Sequence, residues 1–271
     1  MTERILIEDE FDPGFAGTFS EHQWIKQSLG GFYEDKWFTD ILYRAKGGKE
    51  ATVYCCQAGP AVGAELLAAK VYRPRAFRAM KNDSLYRQGR EMLDAEGKPI
   101  RDSRAQRAIR KNTRFGRQLK TASWNLNEYK TMQAFAAAGA DVPRPLAHGR
   151  NAILMEFVGD RNGPAPVLQR VRLGPNEAER LFRRIVRNVE LMLSCGRIHA
   201  DLSAYNVLYW QGEVKVIDFP QAVPADGHPQ AFALLTRDLD RICRYFARQG
   251  VRADANALAC EMWRRYMNAE I

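Results

Sequence analysis

The sequence predicts an α+β chain of two lobes, a small β-rich lobe followed by a larger helical lobe. Strand-like segments separated by glycine turns dominate the first half of the chain, and helical periodicity dominates the second half. Elements segregated in this order are typical of α+β folds. A length of 271 residues with 46% hydrophobic composition is enough for two lobes that share a cleft.

Residues 1–36 are predicted to be an extension that packs on a neighbouring surface through Phe15, Phe19, Trp24 and Ile25. The extension begins with acidic residues, which disfavours a secretory signal, and no apolar run reaches the roughly 18 residues of a membrane span. The five cysteines lack any C-x-x-C spacing, which favours reduced thiols over disulfides or zinc ligands. We therefore expect a cytoplasmic protein with no membrane partner.

Three antiparallel strands are expected at the start of the first lobe. Ile41–Tyr43 and Thr52–Cys56 carry β-branched and aromatic residues on either side of a turn at Gly47–Gly48. Glycine suits this turn because it adopts a positive φ at little cost. Leu66–Tyr72 is predicted to be the third strand of the small sheet.

A basic region at about 73–120 is predicted to be a helix or a flexible loop. Nine basic residues and one acid lie in Lys98–Lys120, a surplus of eight, so this segment carries most of the formal net charge of +9. Its arginines recur every three to four residues, which predicts one broad basic helical face over Arg101–Lys120. Such a face would attract RNA or a ribosomal particle. The alternatives are a solvated face and a loop that folds over a nucleotide.

A helix is predicted next at Ser123–Ala138. The two prolines of Val142–Pro145 exclude a helix there and are predicted to begin a loop. Ala152–Phe157 is predicted to be a buried strand, and a hinge is expected near Glu156–Gly159. The hinge divides the chain into a first lobe, residues 37–157, and a second lobe, residues 158–271.

Helices and one hairpin are predicted for the second lobe. Periodic apolar residues indicate helices at Pro175–Cys195, Leu234–Arg248 and Ala253–Asn268. Two short strands, near Val207–Tyr209 and Val214–Ile217, flank a turn at a Gln-Gly pair.

The strongest chemical signal is the ordered set Asp201, Asn206 and Asp218. Phosphoryl transfer needs positioning, charge neutralisation and a group that accepts the proton of the attacking hydroxyl. Mg²⁺ prefers a few protein oxygen ligands and completes its shell with phosphate and water. Asp201 is therefore predicted to accept the proton, and Asn206 and Asp218 to bind the metal. Taken singly, each residue is better explained as an ordinary loop aspartate, turn asparagine or strand-end aspartate, and only the ordered set favours the catalytic interpretation.

Lys70 is the second signal, because a lysine inside an apolar strand is costly without a partner. The phosphates of ATP and a helix carboxylate are the predicted partners, and the position of Glu128 favours it over Glu91, Glu96 and Glu156. The alternatives are a lysine that reaches solvent from an edge strand and an exposed glutamate on a helix.

The third signal is the glycine turn, which continues through Gly47, Gly48, Lys49 and Glu50. Two glycines let backbone N–H groups approach phosphates closely. The turn matches neither G-x-G-x-x-G nor a P-loop, so an ordinary β-turn is the alternative.

These motifs together resemble the RIO family of atypical serine/threonine protein kinases, and the first subfamily in particular. The resemblance covers about Phe38 to Ile271, and we expect no winged-helix module of the kind typical of the second subfamily. The matching segments are GKEATVY (Gly48–Tyr54), AAKVY (Ala68–Tyr72), LMEFVG (Leu154–Gly159), GPAPVL (Gly163–Leu168), HADLSAYNVL (His199–Leu208) and IDFPQAV (Ile217–Val223).

The resemblance implies a two-lobed protein-kinase-like fold and binding of ATP with Mg²⁺, or with Mn²⁺ in its place. It implies that Asp201 is the catalytic aspartate and that Asn206 and Asp218 are the metal ligands. It further implies that Lys70 binds phosphate and that Glu128 is its ion-pair partner.

The same resemblance assigns the adenine and phosphate contacts. Gly48–Val53, with Val53 at its end, resembles the phosphate loop. Met155 occupies the position at the back of the adenine pocket, and Glu156 and Val158 resemble hinge residues that hydrogen-bond adenine through their backbone.

Two departures from ordinary protein kinases affect the predicted function. The metal motif at Asp218 is DFP rather than DFG, and no A-P-E follows it, so an activation loop and a peptide-docking segment are expected to be absent. The favoured function is a kinase that phosphorylates a protein serine or itself. The alternatives are an ATPase switch, in which Asp218 is transiently phosphorylated, and a small-molecule phosphotransferase. The sequence does not identify the acceptor.

Overall fold

The computed structural model describes residues 17–48, 50–73, 92–94 and 97–271. Phe15, Lys49, and residues 74–91 and 95–96 of the basic region lie outside these ranges. No helix in the described part of the chain is both long enough and apolar enough to cross a membrane.

The first lobe is built on a five-stranded antiparallel sheet in the order β1-β2-β3-β5-β4. Its elements are α1 (Phe19–Glu34), β1 (Phe38–Gly47), β2 (Ala51–Ala58), β3 (Leu66–Tyr72), α2 (Ser103–Arg110), α3 (Arg114–Ala137), β4 (Pro145–His148) and β5 (Ala152–Glu156). The loop predicted from Val142 is interrupted by β4, which the sequence did not predict. Proline is tolerated at the start of β4 because this is an edge strand.

Strand β3 lies between two hydrophobic cores, which explains its nearly continuous apolar sequence. Alternate side chains of a strand point to opposite faces. The face toward α1 carries Leu67, Ala69 and Val71. The opposite face carries Ala68 and Tyr72, which belong to the core shared with the second lobe. Lys70 shares the parity of this second face, so its side chain is directed into the cleft between the lobes.

Helix α1 covers the outer face of the sheet. Its buried residues recur at helical spacing and form one face: Ile25, Leu29 and Phe32. Thr18 caps its N-terminus by accepting a hydrogen bond from the N–H of Glu21. The Tyr54 hydroxyl of β2 donates to the Glu21 carboxylate at 2.7 Å, which ties the helix to the sheet.

The basic segment forms two helices, so the prediction of one helical face over Arg101–Lys120 is wrong. Helix α2 ends at Arg110, and Asn112 takes a positive φ of 51°. Thr113 then caps α3 through its hydroxyl, which accepts from the N–H of Gly116 at 3.1 Å. Helix α3 continues without a break through the helix predicted from Ser123. The cap at Thr113 was not recognised in the sequence, because the arginine spacing continues unchanged across the corner between α2 and α3.

Gly116 lets α2 and α3 approach closely, since a Cβ there would lie 2.0 Å from the carbonyl oxygen of Ala108. We expect Gly116→Ala to lower the free energy of unfolding by about 1–3 kcal/mol through overpacking. This loss opposes the roughly 1 kcal/mol by which alanine favours a helix. Urea denaturation measures the change. Gly30→Ala in α1 is the control, because nothing lies within 4 Å of its added Cβ and a small gain is expected. An equal gain in both variants would contradict the close approach.

The second lobe packs helices around a short hairpin. Its elements are β6 (Gly159–Asp160), β7 (Gly163–Pro164), α4 (Pro175–Ser194), β8 (Arg197–Ile198), β9 (Val207–Trp210), β10 (Glu213–Val216), β11 (Val223–Pro224), α5 (Ala231–Ala247) and α6 (Ala255–Met267). The inward stripe of α4 and that of α5 join one core with the cleft face of the sheet. The structure thus has the predicted α+β arrangement of a sheet-based lobe and a helical lobe.

Candidate active site

Lys70 is held between two carboxylates in the cleft. Its Nζ lies 2.8 Å from Glu128 Oε1 and 2.8 Å from Asp218 Oδ1. The Glu128 side chain is buried and that of Lys70 is 11% exposed, whereas the Asp218 side chain is 48% exposed and opens into the cleft. Burial alone would lower the pKa of Lys70, but the charges of Asp218 and Glu128 outweigh it and hold that pKa above its usual value. Lys70 therefore stays protonated at neutral pH.

The two carboxyl groups of this cluster differ in their environment. Burial raises the pKa of Glu128, and the neighbouring Lys70 opposes that shift. Burial would also raise the pKa of Asp218, but the charge of Lys70 and its hydrogen bond lower it overall. Asp218 is thus an ionised carboxylate at neutral pH.

Helix α3 is fixed to the segment that carries Asp218 by two further contacts. Trp124 Nε1 donates to the carbonyl of Pro220 at 3.1 Å, and the rings of Phe135 and Phe219 pack at 5.3 Å. Spacings of four and seven residues place Trp124, Glu128 and Phe135 along one face of the helix. The position of Glu128 is therefore set by packing on both sides of the ion pair.

The hairpin of β9 and β10 brings Asn206 and Asp218 to the same end of the second lobe. Val207 and Val216 form the pair of the hairpin nearest its open end, and the Ile217 N–H donates to the carbonyl of Asn206 at 2.9 Å. Asn206 Nδ2 donates to the backbone carbonyl of Asp201 at 2.9 Å. The three residues predicted from their spacing are thus joined by the hairpin and by one side-chain hydrogen bond.

His199 fixes the start of the loop that carries Asp201 and Asn206. Its ring is buried, packs on Phe219 at 5.2 Å, and hydrogen-bonds the Ile217 carbonyl through Nε2 at 3.1 Å. The N–H of Asp201 donates to Nδ1 at 3.3 Å. Burial lowers the pKa of His199, so the neutral ring carries its proton on Nε2 and accepts at Nδ1.

Asp238 of α5 holds the same loop, and the sequence predictions missed it. Its Oδ2 accepts from the N–H of Ala200 at 2.7 Å, and its Oδ1 accepts from the N–H of Leu202 at 3.1 Å. Ala200 has a φ of 63°, unusual for alanine, and Arg237 donates to its carbonyl. A detectable signal was present, because Asp238 falls in the apolar stripe of α5, where a carboxylate needs a partner.

Titration of Asp238 should make the phosphoryl transfer expected from the motifs depend on pH. Burial raises its pKa to about 7, although Arg237, the Ala200 N–H, Arg241 and the Leu202 N–H act in the opposite direction. Only the ionised carboxylate accepts both N–H groups, so we expect kcat to rise with pH between about 6 and 8. Asp238→Asn should remove this rise and lower kcat at pH 8 by about 10- to 100-fold, because one buried N–H loses its acceptor. Steady-state kinetics across pH measure both effects.

Asp254→Asn is the matched control for that measurement. Asp254 also accepts two backbone N–H groups, from Asn256 and Ala257, but it does so at the exposed N-terminus of α6. Its substitution should leave the pH profile intact. Persistence of the acid limb in Asp238→Asn would assign the limb to another group.

Two further basic residues near the site were also missed. Arg241 Nη1 lies 2.8 Å from Asp201 Oδ1. Lys46 is paired with Val53 across β1 and β2, and Val53 is paired with Lys70 across β2 and β3. Directly opposite residues share a face of the sheet. Lys46 therefore faces the cleft, and its charge helps to lower the pKa of Asp218.

The glycine turn lies at the β1–β2 end of the sheet, as the sequence predicted. The Gly48 N–H donates to the carbonyl of Ala51 at 2.9 Å, and the Arg73 N–H donates to the carbonyl of Glu50 at 2.9 Å. Strand β1 ends at Gly47. Lys49 lies outside the described residues, so the predicted phosphate contacts remain predictions.

The residues assigned to the adenine pocket lie at the end of β5. Met155 is paired with Ala68 across β3 and β5, which places it on the cleft face together with Lys70. Strand β5 ends at Glu156, whose carboxylate accepts from the Arg144 N–H at 3.0 Å and from Lys215 Nζ at 3.3 Å. Val158 follows this turn between the lobes and is buried.

The oxygen donors of the cleft suit a magnesium ion held mainly by a substrate. Asp218 supplies a carboxylate and Asn206 a side-chain carbonyl, and both are hard ligands of the kind that Mg²⁺ selects. Within the described ranges no three His, Cys, Asp or Glu side chains form a group that could hold a metal ion. A Mg²⁺ ion at Asp218 and Asn206 would have two protein oxygens and would take its other ligands from phosphate and water.

A small five-stranded lobe, a helical lobe and a Lys-Glu-Asp cluster between them define a protein-kinase-like fold. The Rio2 kinase–ADP/Mg²⁺–phosphoaspartate complex from Chaetomium thermophilum shares this fold with a TM-score of 0.58. The alignment covers 88% of this chain and 66% of that chain at 20% identity. The sequence family described as RIO domain matches residues 67–258, which is more than two thirds of the chain. The chain belongs to the RIO domain family, so the resemblance drawn from the motifs is confirmed.

Several relatives are named as RIO-type kinases. The RIO-type serine/threonine-protein kinase Rio1 of Methanocaldococcus jannaschii is 32% identical over 222 residues, which are 82% of this chain and 67% of that protein. Rio1 of Haloferax volcanii is 36% identical over 137 residues, 50% of this chain and 46% of that protein. Serine/threonine-protein kinase rio1 of Schizosaccharomyces pombe is 38% identical over 127 residues, 46% of this chain and 25% of that protein. The chain thus spans less than half the length of the last two relatives.

Proposed function

We propose that this chain is a serine/threonine protein kinase that transfers the γ-phosphate of Mg²⁺–ATP to a protein serine or to itself. The observation that carries the proposal is the position of Lys70 between Glu128 and Asp218, both at 2.8 Å, beside the loop of Asp201 and Asn206. The names of the RIO-type relatives support it. They also favour a protein kinase over a small-molecule phosphotransferase.

On the nucleotide side, the sheet and hinge supply the binding surface. Lys70, kept charged by its two carboxylates, would neutralise the phosphates of ATP. Gly47, Gly48 and Glu50 would cover those phosphates through the β1–β2 turn. Val53 and Met155 lie on the cleft face. Val53 would end the phosphate loop, and Met155 would close the back of the adenine pocket, with the backbone of Glu156–Val158 as its hydrogen-bonding edge.

On the acceptor side, Asp201 would take the proton of the attacking hydroxyl as its oxygen bonds to the γ-phosphorus and ADP leaves. Asn206 and Asp218 would hold Mg²⁺, or Mn²⁺ in its place. The metal supplies charge neutralisation for the transferring phosphoryl group. The hydrogen bond from Asn206 to the Asp201 backbone keeps proton acceptor and metal ligand in fixed relation.

Incubation of the protein with Mg²⁺ and γ-labelled ATP tests this function. Acid-stable label on serine, in the protein itself or in a generic protein substrate, is the expected result. Release of free phosphate with only a hydroxylamine-labile label would contradict the kinase proposal and would indicate an acyl phosphate instead.

An ATPase switch is the second candidate, because the Rio2 neighbour is described as a phosphoaspartate complex. In this chain Asp218 is the accessible carboxylate beside Lys70, since its side chain is 48% exposed whereas that of Glu128 is buried. The hydroxylamine-labile label would then be lost in Asp218→Asn and would turn over faster in the presence of ribosomal particles.

The corner of α2 and α3 is the surface that we propose for RNA or a ribosomal particle. Five of its basic residues are exposed: Arg104, Arg107, Arg110, Lys111 and Arg114. Arg117 and Lys120 instead hydrogen-bond Asn112 and close the corner. The contact would be with phosphates, because the surface carries charge without a base-reading motif.

Salt dependence tests the contact at this corner. We expect Arg104→Gln/Arg107→Gln to weaken binding of single-stranded RNA about tenfold and to reduce the slope against log salt by about 1–2. Filter binding at several salt concentrations measures both quantities. Arg183→Gln/Arg264→Gln removes the same charge from α4 and α6 and is the control. Equal weakening in the control would assign the binding to net charge alone.

A further inference from the structure

A cleft of about 530 Å³ opens on the acceptor side of Asp201. The loop at 199–206 supplies one wall of the cleft, and α5 with the residue that caps its C-terminus supplies the other. The loop contributes Asp201, Ser203, Tyr205 and Asn206, and the other wall consists of Arg241 and Arg244 of α5 and Arg248, the residue that caps its C-terminus. The Tyr205 side chain is unusually open for an aromatic, since the residue is 60% exposed. The cleft adjoins the proposed metal ligand Asn206, whereas Lys70, Glu128 and Asp218 are not among its lining residues.

The wall formed by α5 is cationic. Positions 241, 244 and 248 follow the three- and four-residue spacing of one helix face. Arg244 is bound by Asp240 one turn earlier, and Arg248 lies over the ring of Tyr245 at 6.0 Å. Even with Asp240 and Asp201 counted, three guanidinium groups face two carboxylates. A guanidinium has five N–H donors, and these local partners use only part of them.

Geometry connects this wall to the chemistry. Any hydroxyl that gives its proton to Asp201 must lie at that carboxylate, so the chain flanking the hydroxyl passes through the cleft. The seven helical steps from Arg241 to Arg248 extend about 10 Å along the helix axis at 1.5 Å per step. An extended peptide covers that length in about three residues. The arginines can therefore contact side chains within about four residues of the phosphorylated position.

Arg241 adds a reason for an anionic acceptor. Its guanidinium hydrogen-bonds Asp201 Oδ1, one of the two oxygens of that carboxylate to which the acceptor hydroxyl could give its proton. A carboxylate or phosphate of the acceptor offers Arg241 an alternative partner and would release that oxygen. A cationic acceptor has the opposite effect, because it would be repelled by the arginines of the wall.

We propose that this cleft selects protein segments with anionic side chains within about four residues of the phosphorylated hydroxyl. The selection rests on the proposed kinase function, since it places the acceptor at Asp201. Arg244 and Arg248 bind the flanking anions. Arg241 exchanges its hydrogen bond with Asp201 for one with an anion of the acceptor. Basic segments and amine-bearing small molecules are selected against.

Three fluorescent peptides of equal length test the selection, each with one serine flanked by aspartate, glutamine or lysine. Fluorescence anisotropy in the presence of a non-hydrolysable ATP analogue and Mg²⁺ measures their Kd values. We expect the aspartate peptide to bind about tenfold more tightly than the glutamine peptide, from roughly threefold per exposed arginine. The advantage should shrink as salt rises from about 0.05 to about 0.5 M.

Variants assign that advantage to the cleft. Arg244→Gln/Arg248→Gln should reduce it to about twofold or less. Arg183→Gln is the matched control, because Arg183 has the same 75% side-chain exposure as Arg244 and pairs with Glu179 at the same i,i+4 spacing on α4. Arg248→Glu should shift the preference toward the lysine peptide, a change that loss of folding cannot produce.

The outcomes separate this proposal from the kinase function. Equal Kd values for the three peptides, or an advantage that survives in the double variant, would overturn the selection even if serine is phosphorylated. Phosphate transfer to the peptides is followed in parallel. Absence of any transfer would count against the kinase function, while the order of the Kd values would still decide the selection.

Discussion

Replacing Lys70 with methionine is expected to abolish transfer and to lower the free energy of unfolding by about 3–5 kcal/mol. The stability loss arises because Glu128 stays buried without its cation, which costs far more than losing an exposed ion pair. Asp218 contributes little to this loss, since its carboxylate is half exposed. Urea denaturation and labelled-ATP transfer, measured on the same preparation, report the two effects.

The double variant Lys70→Met/Glu128→Gln separates those effects. Neutralising Glu128 should recover most of the lost stability, because no buried charge remains, whereas transfer should stay absent. Recovery of activity together with stability would show that Lys70 has only a structural role.

Acid pH should partly repair the single Lys70 variant. Burial already raises the pKa of Glu128 in the folded protein, and removal of Lys70 raises it further. A group that binds its proton more tightly when folded stabilises the fold as pH falls below the folded pKa. The stability deficit of Lys70→Met should therefore be larger at pH 8 than at pH 5.

Asp201→Asn should lower kcat by about 10²- to 10⁴-fold with little change in the KM for ATP. The amide cannot accept the hydroxyl proton, which is the step that general-base catalysis accelerates. Its oxygen can still accept the hydrogen bond from Arg241, and the ion pair it replaces is partly exposed, so the melting temperature should change little. Steady-state kinetics and a thermal melt test these expectations together.

Glu261→Gln provides the matched control for Asp201→Asn. Glu261 pairs with Arg264 at 2.9 Å with a side chain 58% exposed, and Asp201 pairs with Arg241 at 2.8 Å with a side chain 47% exposed. Unchanged kcat is expected in the control. A kcat in Asp201→Asn within about threefold of the parent would remove Asp201 from the proton-transfer role, because loss of a general base costs far more.

Local rules predicted the parts of the site that local sequence encodes. Lys70 was identified because its charge interrupts an apolar strand, and strand alternation then fixes the direction of its side chain. Asn206 and Asp218 were predicted to converge because a short hairpin separates them. Glu128 followed from its place on the next helix, and the structure places it 2.8 Å from Lys70.

Contacts between distant segments were not predictable in the same way. Asp238 lies 38 residues from Ala200, and nothing near either residue indicates the hydrogen bond between them. Arg241 was missed for the same reason, because its partner Asp201 lies 40 residues away. The two-helix corner was missed despite a local cap at Thr113, because periodic arginines on both sides imitate one helix.

The hydrophobic core between α1 and the sheet determines which part of the chain can fold as a unit. The family match begins at residue 67, inside β3, whereas α1, β1 and β2 precede it. A fragment cut at that boundary would keep the Lys70 face but uncover the opposite face, at Leu67, Ala69 and Val71. The segment that matches the family is thus shorter than the segment needed for folding. Only the longer segment, which includes α1, β1 and β2, covers both faces of the sheet.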